Sequence, residues 1–161
     1  MSKTKEDLIA SLGEWLKQAE AWMSLPEEAW RQPLAPGKWT GAEALAHLLK
    51  WDDYFLQNAI RPAVAGELLT LIHVDFDTFN LKAAEYGRAT KPDQLLQEAI
   101  AARSEVVDLL QQLPADLFLP ERGYLDGAGH RFDLEEYIVD FASHDKHHLD
   151  QLRAFFSQAK E

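Results

Sequence analysis

Residues 132–156 read FDLEEYIVDFASHDKHHLDQLRAFF, and the reading of this stretch decides the fold. Asp133 stands where a helix N-cap would, and Glu136, three residues on, can reach back to it. Phe132 and Tyr137 occupy the flanking positions of a hydrophobic staple. From there Leu134, Tyr137, Ile138, Phe141, Leu149, Leu152 and Phe155 recur at steps of three and four, the spacing of an amphipathic helix with one buried face. His144 follows Phe141 by three residues, and His148 follows His144 by four. Both therefore lie on or beside the inward face, one turn apart. Two imidazoles stacked on an apolar stripe are either hydrogen-bonded core histidines or metal ligands, and the rest of the chain has to choose.

Upstream, three more long helices are predicted. Leu8, Leu12, Trp15, Leu16, Ala19 and Trp22 keep helical spacing over residues 5–23, with Thr4 as the cap. A proline-rich connection follows from Leu25 to Gly37, with a short turn of helix at residues 26–30. The second helix opens on a capping box, Thr40 and Glu43, and runs to Ile60, closed by Pro62. Its stripe is Ala44, Leu48, Trp51 and Phe55, and His47 sits among them. Residues 61–91 form a long crossover, within which Asp75 caps a shorter helix carrying Phe76, Phe79, Ala83 and Tyr86, ending near Gly87. Pro92 begins a third main helix through Leu113, with Leu96, Ala99, Ile100, Val106, Val107 and Leu110 inward and Arg103 at the border of that face. Residues 114–130 read as a loop, with Asp126-Gly127-Ala128-Gly129 a turn-rich sequence outside any phosphate-loop pattern. Four long helices and no convincing strand predict an all-α four-helix bundle, one domain over residues 1–161. The long crossover leaves helices 2 and 3 parallel.

Composition bounds the function. The chain has 161 residues, 47% of them apolar, enough for a real core. With 16 basic against 27 acidic residues its formal charge is −11, which opposes phosphate backbones and anionic membranes, so no nucleic-acid partner is expected. No apolar run is long enough to cross a bilayer, and the polar start at Met1 to Asp7 lacks the apolar core of a secretion signal, so a cytoplasmic protein is expected. Cysteine is absent, which excludes disulfides, thiolate-held zinc and a thiolate nucleophile. A metal here would have to be held by His and carboxylate.

Taken singly, His47 is better explained as a hydrogen-bonded core residue, His73 and His130 as loop residues, and His147 as facing the side or solvent. Three inward histidines from two helices are another matter. A buried imidazole without a partner costs about 1–3 kcal/mol, and one shared cation would satisfy all three. His144 and His148 can hold an ion from a single helix, and His47 could complete the set. Three protein ligands leave a position open for water or substrate, as in catalytic sites.

Pro36-Gly37-Lys38-Trp39-Thr40, Ala46-His47-Leu48, Trp51-Asp52 and His144-Asp145-Lys146-His147-His148-Leu149-Asp150-Gln151-Leu152 resemble the DinB/YfiT-like family of bacterial four-helix proteins over nearly the whole chain. The specific part is small: the Trp-Thr start with a His seven residues on, and the His-x-x-His-His-x-x-Gln run. The resemblance implies that His47, His144 and His148 hold a divalent ion, zinc or nickel, with water on the open side, and that the protein is a homodimer. It also implies a small-molecule substrate: some members transfer low-molecular-weight thiols to electrophiles, others are called hydrolases by inference. The run His144 to His148 also reads as an Asp version of the His-Glu-x-x-His protease motif, but Asp is a methylene shorter and little chain follows to build a cleft. Asp145 is better explained as a solvated helix residue or a hydrogen-bond partner of the ligands. The expectation is a metal-dependent thiol transferase or hydrolase acting on a small electrophile, with Asp52, Asp53, Asp140 and Tyr54 open as candidates for a general base. The alternatives are a module that sequesters a small molecule, and a structural bundle whose metal does no chemistry.

Overall fold

The structure, a computed structural model, describes residues 4–71, 74–113, 124–125, 131–132 and 134–159. Helix α1 (Lys5–Gly13) begins at Thr4, whose hydroxyl accepts from the Asp7 N–H while the Asp7 carboxylate accepts from the Thr4 N–H. The single helix expected to residue 23 is instead broken after Gly13 and resumes as α2 (Leu16–Trp22). The cause lies at Leu12. Its carbonyl, which the Leu16 N–H would use in an unbroken helix, accepts from Arg103 Nη1 at 2.7 Å. The short α3 (Glu27–Trp30) follows Pro26 as predicted.

Helix α4 (Gly41–Phe55) carries the predicted capping box of Thr40 and Glu43. The sequence reading closes this helix at Pro62, and the structure differs. The helix widens into a π-turn over Leu56–Ile60 and continues as α5 (Arg61–Ala65), with Pro62 in the first turn, where a missing N–H costs least. The stop is Gly66, whose φ of 73° lies in the left-handed region that a side chain disfavours. Asp75 caps α6 (Phe76–Ala89), accepting from the Asp77 and Thr78 N–H groups. Pro92 opens α7 (Pro92–Gln112). A two-residue antiparallel ladder, β1 (Tyr124–Leu125) with β2 (Arg131–Phe132), is the one pairing of this kind among the described residues that the sequence pattern does not suggest. It leaves the all-α class intact. Helix α8 (Leu134–Ala159) is the longest. The expected cap Asp133, the turn at residues 126–129, His73 and His130 lie outside the described residues.

Cross-helix pairs give the directions. Lys5 reaches the carbonyls of Gln111 and Leu113 while Leu12 meets Arg103, so α1 runs against α7. Phe55 stacks on Tyr137 and His47 faces His148, so α8 runs against α4. Asp52 pairs with Arg103 and Arg61 with Glu105, an ascending order that makes α4 and α7 parallel, as the length of the crossover predicts. Within the crossover α6 lies antiparallel on α4, Arg88 to Glu43 at one end and Asn80 to Trp51 at the other.

One end of the core is an aromatic knot of Trp22, Trp30 and Phe156, ring centroids 4.6–6.2 Å apart. Phe156 is the fully buried residue here, and Phe155, expected inward, is only partly covered. The middle of the core is ionic. Arg103, fully buried, donates Nε and Nη2 to Asp52 at 2.9 Å each, and Nη2 and Nη1 to Asp145 at 2.7 and 3.1 Å. With Leu12 included, this one guanidinium ties α1, α4, α7 and α8 together. Burial alone would lower its pKa, but Asp52 and Asp145 outweigh that and raise it. Burial pushes the Asp52 carboxyl up to about 6 against the pull of Arg103.

Candidate metal centre

His47 lies on the buried face of α4, two turns after the Thr40 cap, and is 2% exposed. Its ring is held between Trp39, which precedes the cap (4.9 Å between centroids), and Trp51, one turn on (6.4 Å). Trp51 is fixed in turn by its indole N–H, which donates to Asn80 Oδ1 on α6 at 3.0 Å. Across the bundle, α8 brings His144 and His148 to the same place. Their Nε2 atoms are 3.2 Å apart, and one ring nitrogen from each of His47, His144 and His148 lies within 4.8 Å of the others. The structure thus brings together the three histidines singled out in the sequence, and it leaves His147 exposed, as expected.

Among the described residues, both ring nitrogens of His47 and Nδ1 of His148 are buried with no hydrogen-bond partner. Burial lowers His47 to about 3, with repulsion from His148 and His144 adding to it, and burial lowers His148 to about 4. His144 shifts in the same direction for the same first cause. All three rings are therefore neutral near pH 7, with no proton to displace before a cation can bind. Tetrahedral ligation at about 2.0–2.1 Å from each nitrogen puts ligand atoms about 3.4 Å apart. The His144–His148 pair already stands at that spacing, and His47 has to approach by little more than 1 Å. The donor set, its spacing and its unmet nitrogens fit a divalent ion.

Two cavities flank the cluster. One, of about 390 Å³, lies between α4, α6 and α8 and has His47 and His144 in its wall beside Trp51, Phe76, Tyr137 and Phe141. The other, of about 500 Å³, lies on the His148 side against Trp39, Lys38, His147 and Gln151. The acids left open in the sequence now separate. Asp52 is consumed by Arg103, and Asp53 and Tyr54 line a different cleft with Lys50 and Lys82. Asp140, one turn before His144, lines the cavity that His47 and His144 share. Asp145 corrects the reading made of it. It is 3% exposed rather than solvated, and both its oxygens accept from Arg103. An Asp version of the protease motif has no base here.

A sequence model described as the DinB superfamily matches residues 13–152. The chain belongs to the DinB superfamily. A search of curated proteins finds no significant match. Among solved structures, YfiT from Bacillus subtilis, described as a probable metal-dependent hydrolase with an unusual four-helix bundle topology, superposes with a TM-score of 0.67. The identity is 18%, over 97% of this chain and 87% of that one. An uncharacterized protein from Clostridium difficile 630 superposes with a TM-score of 0.75 at 11% identity, over 98% of both chains. At these identities the likeness speaks for the fold.

Several residues of the site in this DinB-superfamily chain escape sequence reasoning. Asn80 and Phe76 sit on the crossover helix, whose docking on α4 no spacing announces. Arg103, Asp52 and Asp145 did leave a signal. Each is a single charge inside an apolar stripe, Asp145 falling four residues after Phe141 and four before Leu149.

Proposed function

We propose that the protein is a metal-dependent hydrolase acting on a small electrophilic substrate, with His47, His144 and His148 as the ligands of a zinc or nickel ion. The observation that carries this reading is the convergence of three neutral imidazoles with three buried nitrogens, two on His47 and one on His148, unmet among the described residues. An ion bound there supplies Lewis acidity and acidifies a bound water or thiol. The chain's own residues do the rest. Trp39 and Trp51 clamp His47 and keep bulk water from its ring. Asp140, in the wall of the cavity shared with His47 and His144, is placed to take up the proton released and to return it to the leaving group. Tyr137, whose pKa burial raises, keeps its proton at neutral pH and lines the same cavity. The description of YfiT as a probable metal-dependent hydrolase supports the reading.

A second reading, transfer of a low-molecular-weight thiol to the electrophile, draws on the second cavity. A hydrolase needs room for one organic substrate and water, and the cavity beside His148 offers room for another. Elemental analysis of the purified protein, with His144→Ala alongside, tests the metal: the wild type should carry about one ion per chain and the variant far less. Activated esters are then assayed with and without added thiols, comparing wild type and Asp140→Asn. Ester turnover without thiol that falls about 100-fold in Asp140→Asn, at unchanged metal content, supports hydrolysis. Turnover only with thiol favours transfer, and equal metal in wild type and His144→Ala would end both readings.

A further inference from the structure

We propose that the cavity between α4, α6 and α8 is a subsite for a flat apolar group, an aromatic ring bearing a polar substituent, and that Phe76 at its mouth sets that selectivity. The proposal rests on the reading of the three histidines as the reacting centre and names the class of substrate that centre receives. Its walls are mostly rings. On the α8 side Tyr137 and Phe141 stand with planes 24° apart, backed by the fully buried Phe55 of α4, which stacks on both. Opposite, Trp51 is immobilised by its bond to Asn80 and by Phe79, 4.1 Å away between centroids. Rigid aromatic faces reward a planar guest, since offset stacking adds to the gain from burial and no wall residue has to be ordered first.

Phe76 supplies the second observation. It lies 5.6 Å from the Trp51 ring and lines the cavity, yet is 60% exposed, a large apolar face left in water at the entrance. A flat group inserted below it would cover that face. Asn80 from α6 and Asp140 from α8 line the same cavity as His47 and His144, so a ring carrying a carbonyl or hydroxyl has polar partners there beside the aromatic ones. Size agrees. An apolar cavity of about 150 Å³ admits benzene, so about 390 Å³ holds a substituted ring or a fused pair. The cavity beside His148, with Lys38, His147 and Gln151, has a different character and would not share the preference.

The test uses the full chain loaded with zinc and measures binding of para-nitrophenol and of cyclohexanol by calorimetry, in the wild type, Phe76→Ala, Phe76→Leu and Lys38→Ala. Para-nitrophenol should bind about tenfold tighter than cyclohexanol, the worth of one good aromatic contact. Phe76→Ala and Phe76→Leu should both remove most of that preference, the latter because it keeps apolar bulk and loses the plane, while Lys38→Ala should leave it intact. Equal affinities in the wild type, a preference indifferent to Phe76, or one abolished by Lys38→Ala would each overturn the assignment. Metal content is read on the same samples and the titrations are repeated in chelator. The ring preference should survive there, because the walls do not depend on the ion. A protein that holds no metal but keeps the preference contradicts the proposed reaction and not the subsite. A metal-bearing protein without the preference does the reverse.

Discussion

Arg103→Met is the sharpest probe of how the two ligand-bearing helices are held. The substitution keeps much of the side chain's length and deletes its charge. Five hydrogen bonds are lost, two to Asp52, two to Asp145 and one to the carbonyl of Leu12. Two carboxylates, 1% and 3% exposed, are left with no counter-ion. Removing one partner of a buried pair costs about 3–5 kcal/mol, and here one deletion strands two acids, which places the cost near the upper figure. For a chain of this length each kcal/mol moves Tm by about 2–4 °C, so a fall of about 10–20 °C is expected. The pH dependence carries the diagnosis. Stranded carboxyls have folded pKa values above their unfolded ones, so the folded variant holds more protons than its unfolded chain as pH drops from 7 toward 4, and its deficit against the wild type shrinks. Thermal and urea unfolding at pH 7 and pH 5, followed by circular dichroism, measure this. The triple variant Asp52→Leu, Arg103→Met, Asp145→Leu should recover most of the loss, because an apolar replacement strands no charge. A single variant within about 0.5 kcal/mol of the wild type at pH 7 would refute the reasoning, since it would mean that the carboxylates do not depend on Arg103.

Other outcomes follow from the same interactions. In chelator at pH 7, His47→Leu should be as stable as the wild type or about 1–3 kcal/mol more stable, because it removes two buried nitrogens with no partner among the described residues, whereas added zinc should reverse the order in melting experiments. The metal-free wild type should lose stability as the solution is acidified. His47 stays neutral to about pH 3 when folded and protonates near 6.5 when unfolded, so between those values the unfolded chain binds the extra proton. Asp52, raised to about 6, acts in the opposite sense. Comparison with His47→Leu isolates the imidazole, and the difference in unfolding free energy between pH 7 and pH 5 should be about 2 kcal/mol. Gly87→Ala should destabilise by about 1–3 kcal/mol in urea titrations despite the better helix former, because its Cβ would stand 2.8 Å from the Ala42 carbonyl oxygen and 2.9 Å from Glu43 Cα, backbone atoms that move only if α6 lifts off α4.

How much of this was legible follows from what spacing encodes. Periodicity reports the phase of a residue on its own helix, and caps report where a helix starts. Hence Thr40 with Glu43, Asp75 and the phases of His47, His144 and His148 could be read directly. Phase does not name the partner across a core. Arg103 meets Asp52 at a separation of 51 residues and Asp145 at 42, pairings set by which helices are neighbours. The same limit hid the break after Gly13, because the Arg103 side chain takes the Leu12 carbonyl from 91 residues away. At Pro62 the local rule was sound but incomplete, for a π-turn lets the helix continue where a missing N–H would otherwise end it. The cavity of Trp51, Asn80 and Phe76 depends on the crossover helix docking beside α4.

Both polar constellations, the ions and the imidazoles, look alike in the sequence, as single misfits on apolar stripes. Only their satisfaction separates them. Arg103 directs its donors at two carboxylates and a carbonyl, each within hydrogen-bond distance, so the ion cluster is complete and its role is to hold four helices in place. A few ångströms of helix away, His47 keeps two buried nitrogens and His148 one with no hydrogen-bond partner among the described residues. Beside a guanidinium whose every donor is paired, three unmatched nitrogens on two imidazoles favour the proposed metal site. That asymmetry is what supports the proposal that the histidines, and not the ions, are where a group from outside the chain binds.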